Sequence, residues 1–377
     1  IDYLGEATTD RIARLNGRLV DGSVRFPPVP DRGYLDPVLK QLEIPVSSQL
    51  LVYSKTAVNQ RLVGPATPRA IYFNDSVYVA WVPGTAELEL AAIDPLKGGM
   101  FYVLKQPSAA AGQPPRFERR QSCLACHIGR TTLSVPGFMA RSFQVDRAGQ
   151  PLHGYSRVTG AMPLSKRWGG WFVTGSAGGQ VHVGNLVSDK DNARHKKTPG
   201  FRSQLKRLDA LVDLSGYLSP HSDLVAHLVL DHQLHGQNLI FRVAYEHRLR
   251  RRSDAQERLL RYLLLVDGAP LDGPVSGTSG FTTWFQRQGP RTGNGASLRQ
   301  LDLKRRLFRH RLSYLVYSPA LASLPEVPRR RLGQRLWKIL DGHDTTPLGK
   351  SLDEAERTAV ADILEATGDR LPEGWKR

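Results

Sequence analysis

The chain has only two cysteines in 377 residues, and both fall within the stretch "QSCLACHIGR". No second cysteine pair exists to complete a four-thiolate zinc site. Long apolar runs are also missing. A membrane-spanning helix needs roughly 18–20 consecutive apolar residues, and the longest candidates, such as "LRYLLLVDGAP", are broken by charge, glycine or proline. An integral membrane protein is therefore not expected. The sequence contains no GxSxG, no HExxH and no GxxxxGK[ST], which removes the usual signatures of serine hydrolases, zincins and P-loop enzymes. Repeats and low-complexity segments are absent as well. The chain opens on "IDYLGEATTD" rather than on Met, which reads as a processed or trimmed start with any secretory leader already removed.

What is present is mostly positive charge. Lys and Arg number 52 against 35 Asp and Glu, a net charge of +17, and such a field attracts anionic partners. The excess concentrates in "EHRLRRRSDAQERLLR", "RQLDLKRRLFRHR" and "PRRRLGQRLWKIL". Each interleaves Arg with Leu at helical spacing, so each is expected to form an amphipathic helix with a cationic outer face. Such faces suit solvent, an acidic redox partner or anionic lipid. No nucleic-acid recognition module accompanies them, and no nucleic acid is expected as a partner.

The two halves differ in texture. Up to about residue 190, glycine, proline, aromatic and β-branched residues dominate. "RAIYFNDSVYVAWVPG" and "ELELAAIDPLKGGMFYVLKQ" each read as a strand pair around a turn. "FQVDRAGQPLHGYSRV" turns at Ala-Gly, and "WFVTGSAGGQVHVGNLV" at its glycine-rich centre. That centre lacks a dinucleotide-site context. Beyond "KKTPGF" the pattern turns helical. Ser219-Pro220 offers a start for one long helix through "HSDLVAHLVLDHQLHGQNLIFRVAYEHRLRR", weakened at Gly236. Capping boxes are expected at Ser253 and Ser351. The expected class is α+β: a β-rich region over 1–195 and a mostly helical region over 196–377, either two units or one continuous domain.

The motif Cys123-Leu124-Ala125-Cys126-His127 has three chemical readings. Covalent haem attachment needs two thiols for the macrocycle's vinyl groups and an adjacent imidazole for its iron, and C-x-x-C-H supplies all three. A zinc site would need two further ligands. A dithiol redox pair wants a strand before it and a helix after it, whereas the flanks here are "RFERRQS" and "GRTTLSVPGF". One haem c, held by Cys123 and Cys126 with His127 as proximal iron ligand, is the expectation. Haem c is assembled outside the bacterial cytoplasm, so a periplasmic or secreted location follows. Trp81, Trp168 and Trp171 could pack on such a cofactor or serve as ordinary core.

Several stretches together resemble a group of large bacterial single-haem c-type cytochrome-like proteins: "LLVYSKTAVNQ", "PRAIYFNDSVYVAWVPG", "VPGFMARS", "RWGGWFVTG" with "HVGN", and "DHQLHGQNLIFRVAYE". The resemblance runs from about Tyr34 to about Tyr317. It implies a single-haem c-type protein and carries no reaction with it. His182, His232, Gln233, Asn238, Arg242 and Tyr245 match the group's pattern. The chain departs from it at Gly160, where a histidine often stands ahead of Trp-Gly-Gly-Trp, and at Gln237, where a second histidine is usual.

An electron carrier holds iron between two protein ligands, and a haem enzyme leaves one face open. His182 and Met162 are the candidate distal ligands. Met139 is a further thioether, and His153, after a turn, reads as a surface histidine. His232, His235, Leu239 and Arg242 share one face of the long helix. His232 and Arg242 are therefore candidate catalytic groups, as base and charge stabiliser. The first functional expectation is a periplasmic mono-haem oxidoreductase acting on a small substrate, because the chain is far larger than a simple carrier requires. The alternatives are a six-coordinate electron-transfer cytochrome docking to an acidic partner, and a haem-based gas sensor.

Overall fold

Alternation in "RAIYF", "VYVAW" and "ELELAAID" sends every second side chain to the same side of a strand, and these segments pair side by side. In the computed structural model, which describes residues 3–5, 7–57, 60–107, 115–152, 156–251 and 253–377, they belong to a six-stranded antiparallel meander. Its order is β1 (Leu50–Val52), β2 (Arg69–Phe73), β3 (Val77–Trp81), β4 (Glu87–Asp94), β5 (Gly98–Lys105) and β6 (Phe117–Arg119). Side-chain turns set the hairpins. Asn74 Oδ1 accepts from the Ser76 and Val77 amides at 3.1 and 3.0 Å, and Asp94 Oδ1 from those of Leu96 and Lys97 at 3.0 and 2.9 Å.

The register divides the sheet into two unlike faces. Ala70, Tyr72, Val79, Leu88, Leu90, Ala92 and Leu104 lie on one face and are buried. On that side α1 (Arg11–Val20) packs against β4 and β6. On the other face, Ile71, Ala80, Glu89, Ala91 and Val103 stand in cross-strand register, and Ile71, Ala80 and Ala91 are only half-buried. Half-exposed apolar side chains at the centre of a sheet mark a face with room above it.

The remaining elements are mostly helices. α2 (Leu35–Gln41) precedes the sheet, and the one-turn α3 (Leu124–His127) follows it. Two short ribbons pair β7 (Arg141–Ser142) with β8 (Ser156–Arg157), and β9 (Ser176–Ala177) with β10 (Val275–Ser276). Then come α4 (Asp189–Lys197), α5 (Leu224–Arg248), α6 (Ala255–Leu263), α7 (Phe281–Arg287), α8 (Pro319–Ala322), α9 (Glu326–Leu340) and α10 (Glu354–Ala366). The fold is α+β, with the sheet in the N-terminal half and helices in the C-terminal half. No helix among the described residues is long and apolar enough to cross a membrane. One cluster of buried apolar side chains runs from Tyr3 to Trp375.

Helix α5 organises that cluster. Of its 25 residues 20 are buried, so it is a central helix with neighbours on all sides rather than a surface helix with a polar stripe. Gly236 does not interrupt it. A Cβ there would lie 2.3 Å from Leu315 Cδ1 and 3.0 Å from the Tyr262 ring, so glycine permits a close crossing instead of weakening the helix. Several of its polar residues are paired internally, although Gln237 Oε1 and Glu246 Oε2 find no hydrogen-bond partner among the described residues. Asp231 accepts from the Trp168 indole at 3.0 Å and pairs with Arg167 at 3.3 Å, both partners of that ion pair being almost wholly enclosed. Arg167 also donates to the Met162 and Gly160 carbonyls at 2.7 and 2.9 Å.

Several local expectations change. Helix α5 starts at Asp223, not at Ser219, because the Asp223 carboxylate caps the Val225 and Ala226 amides at 2.8 and 3.0 Å. The capping box near Ser351 belongs to Asp353 and Glu356. At Ser253 there is no box; Asp254 is the N-cap of α6 and makes no side-chain cap bond. "PRRRLGQRLWKIL" is helical within α9, but "RQLDLKRRLFRHR" is not a helix. Asp302 Oδ1 takes the Lys304 and Arg305 amides at 2.9 and 2.8 Å and folds that segment into a turn. The arm carrying "HVGN" is not a strand, because β9 pairs with β10 from across the chain.

Replacing Asp231 with Leu leaves Arg167 enclosed without its counter-ion, and the expected loss is about 3–5 kcal/mol in denaturant unfolding.

Candidate functional site

The cysteine motif sits where the sheet hands over to a single turn of helix. Arg120 follows β6 and clamps the approach, donating to both Glu87 carboxylate oxygens at 2.8 and 3.0 Å. Cys123 is half-buried and Cys126 exposed, and both thiols are free. Burial and then the Glu89 charge push the Cys123 thiol above its ordinary value, the opposite of what an activated dithiol nucleophile requires.

His127 closes the turn with its ring against Phe101, centroids 4.2 Å apart. Its Nδ1 lies 2.8 Å from the Gly137 carbonyl oxygen. A carbonyl only accepts, so Nδ1 carries the proton and Nε2 keeps a lone pair. Burial brings the ring's pKa down to about 4; the Gly137 carbonyl opposes this, Arg141 and Arg69 reinforce it, and Glu89 opposes it. The imidazole is accordingly neutral at physiological pH.

The segment that supplies this carbonyl is tied from several directions. The Gly137 amide donates to His127 O at 3.0 Å and the Gly99 amide to Pro136 O at 2.9 Å. Thr132 Oγ1 donates to Val135 O at 2.9 Å. From α5, Asn238 exchanges two bonds with the Phe138 backbone at 2.9 and 2.7 Å, and Arg242 donates to Leu133 O at 2.9 Å.

Both cysteines and His127 line one cavity of about 330 Å³, within the size range of small-molecule and cofactor sites. Its floor is the sheet face of half-exposed Ile71, Ala80 and Ala91, with buried Val103 beside them. Phe101, Phe138, Phe143, Trp171, Leu230 and Leu234 form apolar walls, and Met139 is its thioether. The polar lining includes Arg69, Glu89, Arg120 and Arg141. Arg69 and Glu89 pair at 2.9 Å, mostly buried, and among the described residues Arg69 Nε has no hydrogen-bond partner. A charged pair in such an apolar setting interacts more strongly than at a wetted surface.

The other residues singled out by sequence lie elsewhere. His182 is enclosed against Trp168, with its Nδ1 accepting from the Gly184 amide at 3.1 Å. Met162 is half-buried, and its carbonyl is engaged by Arg167. His232 stacks on Tyr262 at 4.9 Å and pairs through Nε2 with Ser313 Oγ at 2.7 Å. Arg242 pairs with Glu246 and holds Leu133. None of these four lines the cavity. His232 contacts Tyr262 and Ser313, and Arg242 contacts Glu246 and Leu133, so both face neighbouring segments rather than this cavity. Trp171 lines the cavity, whereas Trp168 and Trp81 are core. His153 lies outside the described residues.

Sequence reasoning missed Arg69, Glu89, Arg120 and Arg141. Strand parity carries the signal for the first two. Arg69 shares a face with Ile71, and Glu89 with Ala91, so an ion pair stands beside the half-buried apolar side chains of that face.

Buried neutral histidines give the fold an acid sensitivity. Burial lowers the pKa of His182, His227 and His232 to about 3, against about 6.5 in the unfolded chain. Between those values the unfolded chain binds protons that the folded chain does not, so stability is full above pH 6.5 and falls with acid. Each histidine contributes a slope of up to about 1.4 kcal/mol per pH unit. Urea titrations from pH 7 to 4.5 are expected to show this decline, and His182→Asn to reduce the slope by about one proton. Comparison with protein-family models, curated proteins and solved structures finds no match to this chain.

Proposed function

We propose that Cys123, Cys126 and His127 hold one covalently attached haem c in this cavity, and that the protein is an exported mono-haem oxidoreductase acting on a small substrate. The observation that carries the reading is the orientation of His127. Its Nδ1 proton is committed to Gly137, which leaves the Nε2 lone pair available to a metal, and His127 lines the same cavity as both thiols. The cavity's chemistry fits the group. The half-exposed sheet face offers a flat apolar surface for a macrocycle, and Arg69, Arg120 and Arg141 offer cations for its two carboxylates. The zinc alternative lacks donors: among the described residues no group of three or more His, Cys, Asp and Glu side chains is placed to hold a metal ion.

Haem, when bound, would supply one-electron chemistry, with His127, Cys123 and Cys126 holding it. This chain's residues supply the rest. Arg69 offers hydrogen-bond donors to a polar or anionic substrate, and Glu89 offers an acceptor for a proton-bearing one. These are the parts the sequence assigned to His232 and Arg242, now played by groups inside the cavity. The apolar walls exclude water and strengthen both contacts. The cationic faces of α6 and α9 would suit an acidic redox partner.

A second reading rests on Met139, the one thioether among the lining residues. As a sixth ligand it would make the protein a carrier with a raised potential.

Expression with a periplasmic haem c maturation system is expected to yield one haem per chain by pyridine haemochrome, retained on denaturing gels. C123S/C126S is expected to abolish that retention. Folded protein that never acquires haem contradicts the proposal. Absorption spectra then separate the functions. A high-spin ferric spectrum that shifts with cyanide and turns over peroxide, with Glu89→Gln slowing turnover by about 10²–10⁴-fold, supports the oxidoreductase. A low-spin spectrum that becomes high-spin in Met139→Ala supports the carrier, and carbon monoxide binding without turnover supports a sensor.

A further inference from the structure

We infer that Asn238 on α5 is the positioning residue for the His127 imidazole, fixing which ring nitrogen faces the cavity. The inference rests on the reading of His127 as the iron ligand only for its functional consequence; the geometry stands on its own. Asn238 is 1% exposed. Its Oδ1 accepts from the Phe138 amide at 2.9 Å, and its Nδ2 donates to the Phe138 carbonyl at 2.7 Å. One carboxamide thus satisfies both backbone groups of a residue that lies in no strand.

The next residue back is the one that orients the ring. Gly137 accepts the His127 Nδ1 proton at 2.8 Å, and its amide donates to His127 O at 3.0 Å. A Cβ at Gly137 would sit 2.3 Å from Asn238 Oδ1, so glycine is what allows the carboxamide to approach this closely. The path is continuous: buried helix, Asn238, Phe138 peptide, Gly137 carbonyl, His127 Nδ1. Arg242 and the Gly99 amide hold the segment at Leu133 and Pro136, but neither reaches the Phe138 peptide.

Without Asn238 the Phe138 amide and carbonyl lose their partners in a buried setting, and the segment turns to satisfy them. The Gly137 carbonyl moves with it, and His127 loses the bond that selects its tautomer and raises its donor strength. A residue that only stabilised the fold would lower the melting temperature and leave the ring unchanged.

Long-range proton–nitrogen NMR of the full-length chain labelled in histidine nitrogen, without haem, reads the tautomer directly. Wild type is expected to show His127 as a single Nδ1–H form, and Asn238→Ala to show loss of that single form. Asn238→Asp can accept from the Phe138 amide but cannot donate to its carbonyl, and is expected to fall between the two. In haem-loaded protein the same order is expected in the reduction potential, with Asn238→Ala raised above wild type because a weaker imidazole donor stabilises ferric iron less. A cooperatively folded Asn238→Ala that keeps the Nδ1–H form and the wild-type potential overturns the inference. If Asn238→Ala does not fold, the tautomer of Asn238→Asp decides in the same sense. A tautomer change in a chain that never takes up haem supports the positioning role and sinks the haem assignment alone.

Discussion

A neutral imidazole has one N–H and one lone pair, and whatever accepts the first decides where the second points. In this chain the acceptor is the Gly137 carbonyl, and the lone pair is left to a cavity whose walls include both cysteines of the protein. The motif alone does not fix this direction. It depends on a ten-residue excursion after His127 that returns to it, and on a buried helix that holds the returning backbone in place.

That dependence explains the composition of α5. A central helix would ordinarily be apolar all round, yet α5 carries His227, Asp231, His232, Gln233, Gln237 and Asn238 in enclosed positions. Asp231 joins the helix to the Arg167–Trp168 turn. Gln233 donates to Asn74 O at 2.9 Å and to Tyr78 Oη at 2.7 Å, reaching the sheet. Asn238 joins the helix to the segment behind His127. Buried polar groups of this kind cost desolvation and stabilise only when fully paired. The pairing of Asp231, Gln233 and Asn238 fixes the sheet, the motif and the helical half in one relative placement. The cavity is the space those constraints leave open.

Much of the architecture was legible in sequence. The hairpins around Asn74 and Asp94 follow from period-two alternation and side-chain turns, and the long helix from its apolar density. The motif residues lie together because they are local. What could not be read was non-local. His182 sits in a segment that resembles a ligand-bearing hairpin, but β9 finds its partner some hundred residues downstream, which leaves the histidine packed on Trp168. His232 and Arg242 both lie on α5, but spacing does not say what each meets: His232 meets Tyr262 and Ser313, and Arg242 meets Leu133. Arg69 and Glu89 were accessible to strand parity, whereas Arg141 enters the cavity only through tertiary folding.

The proposed haem site requires iron bound at His127 Nε2. Diffraction from full-length protein matured in the periplasm, with data on both sides of the iron absorption edge, tests it most directly. The expected result is a single iron peak in the cavity on the Nε2 side of His127, with continuous density from a macrocycle to the Cys123 and Cys126 sulfurs. A peak at the zinc edge bound by the two thiols, or a folded chain whose thiols remain free with no metal at Nε2, would contradict it.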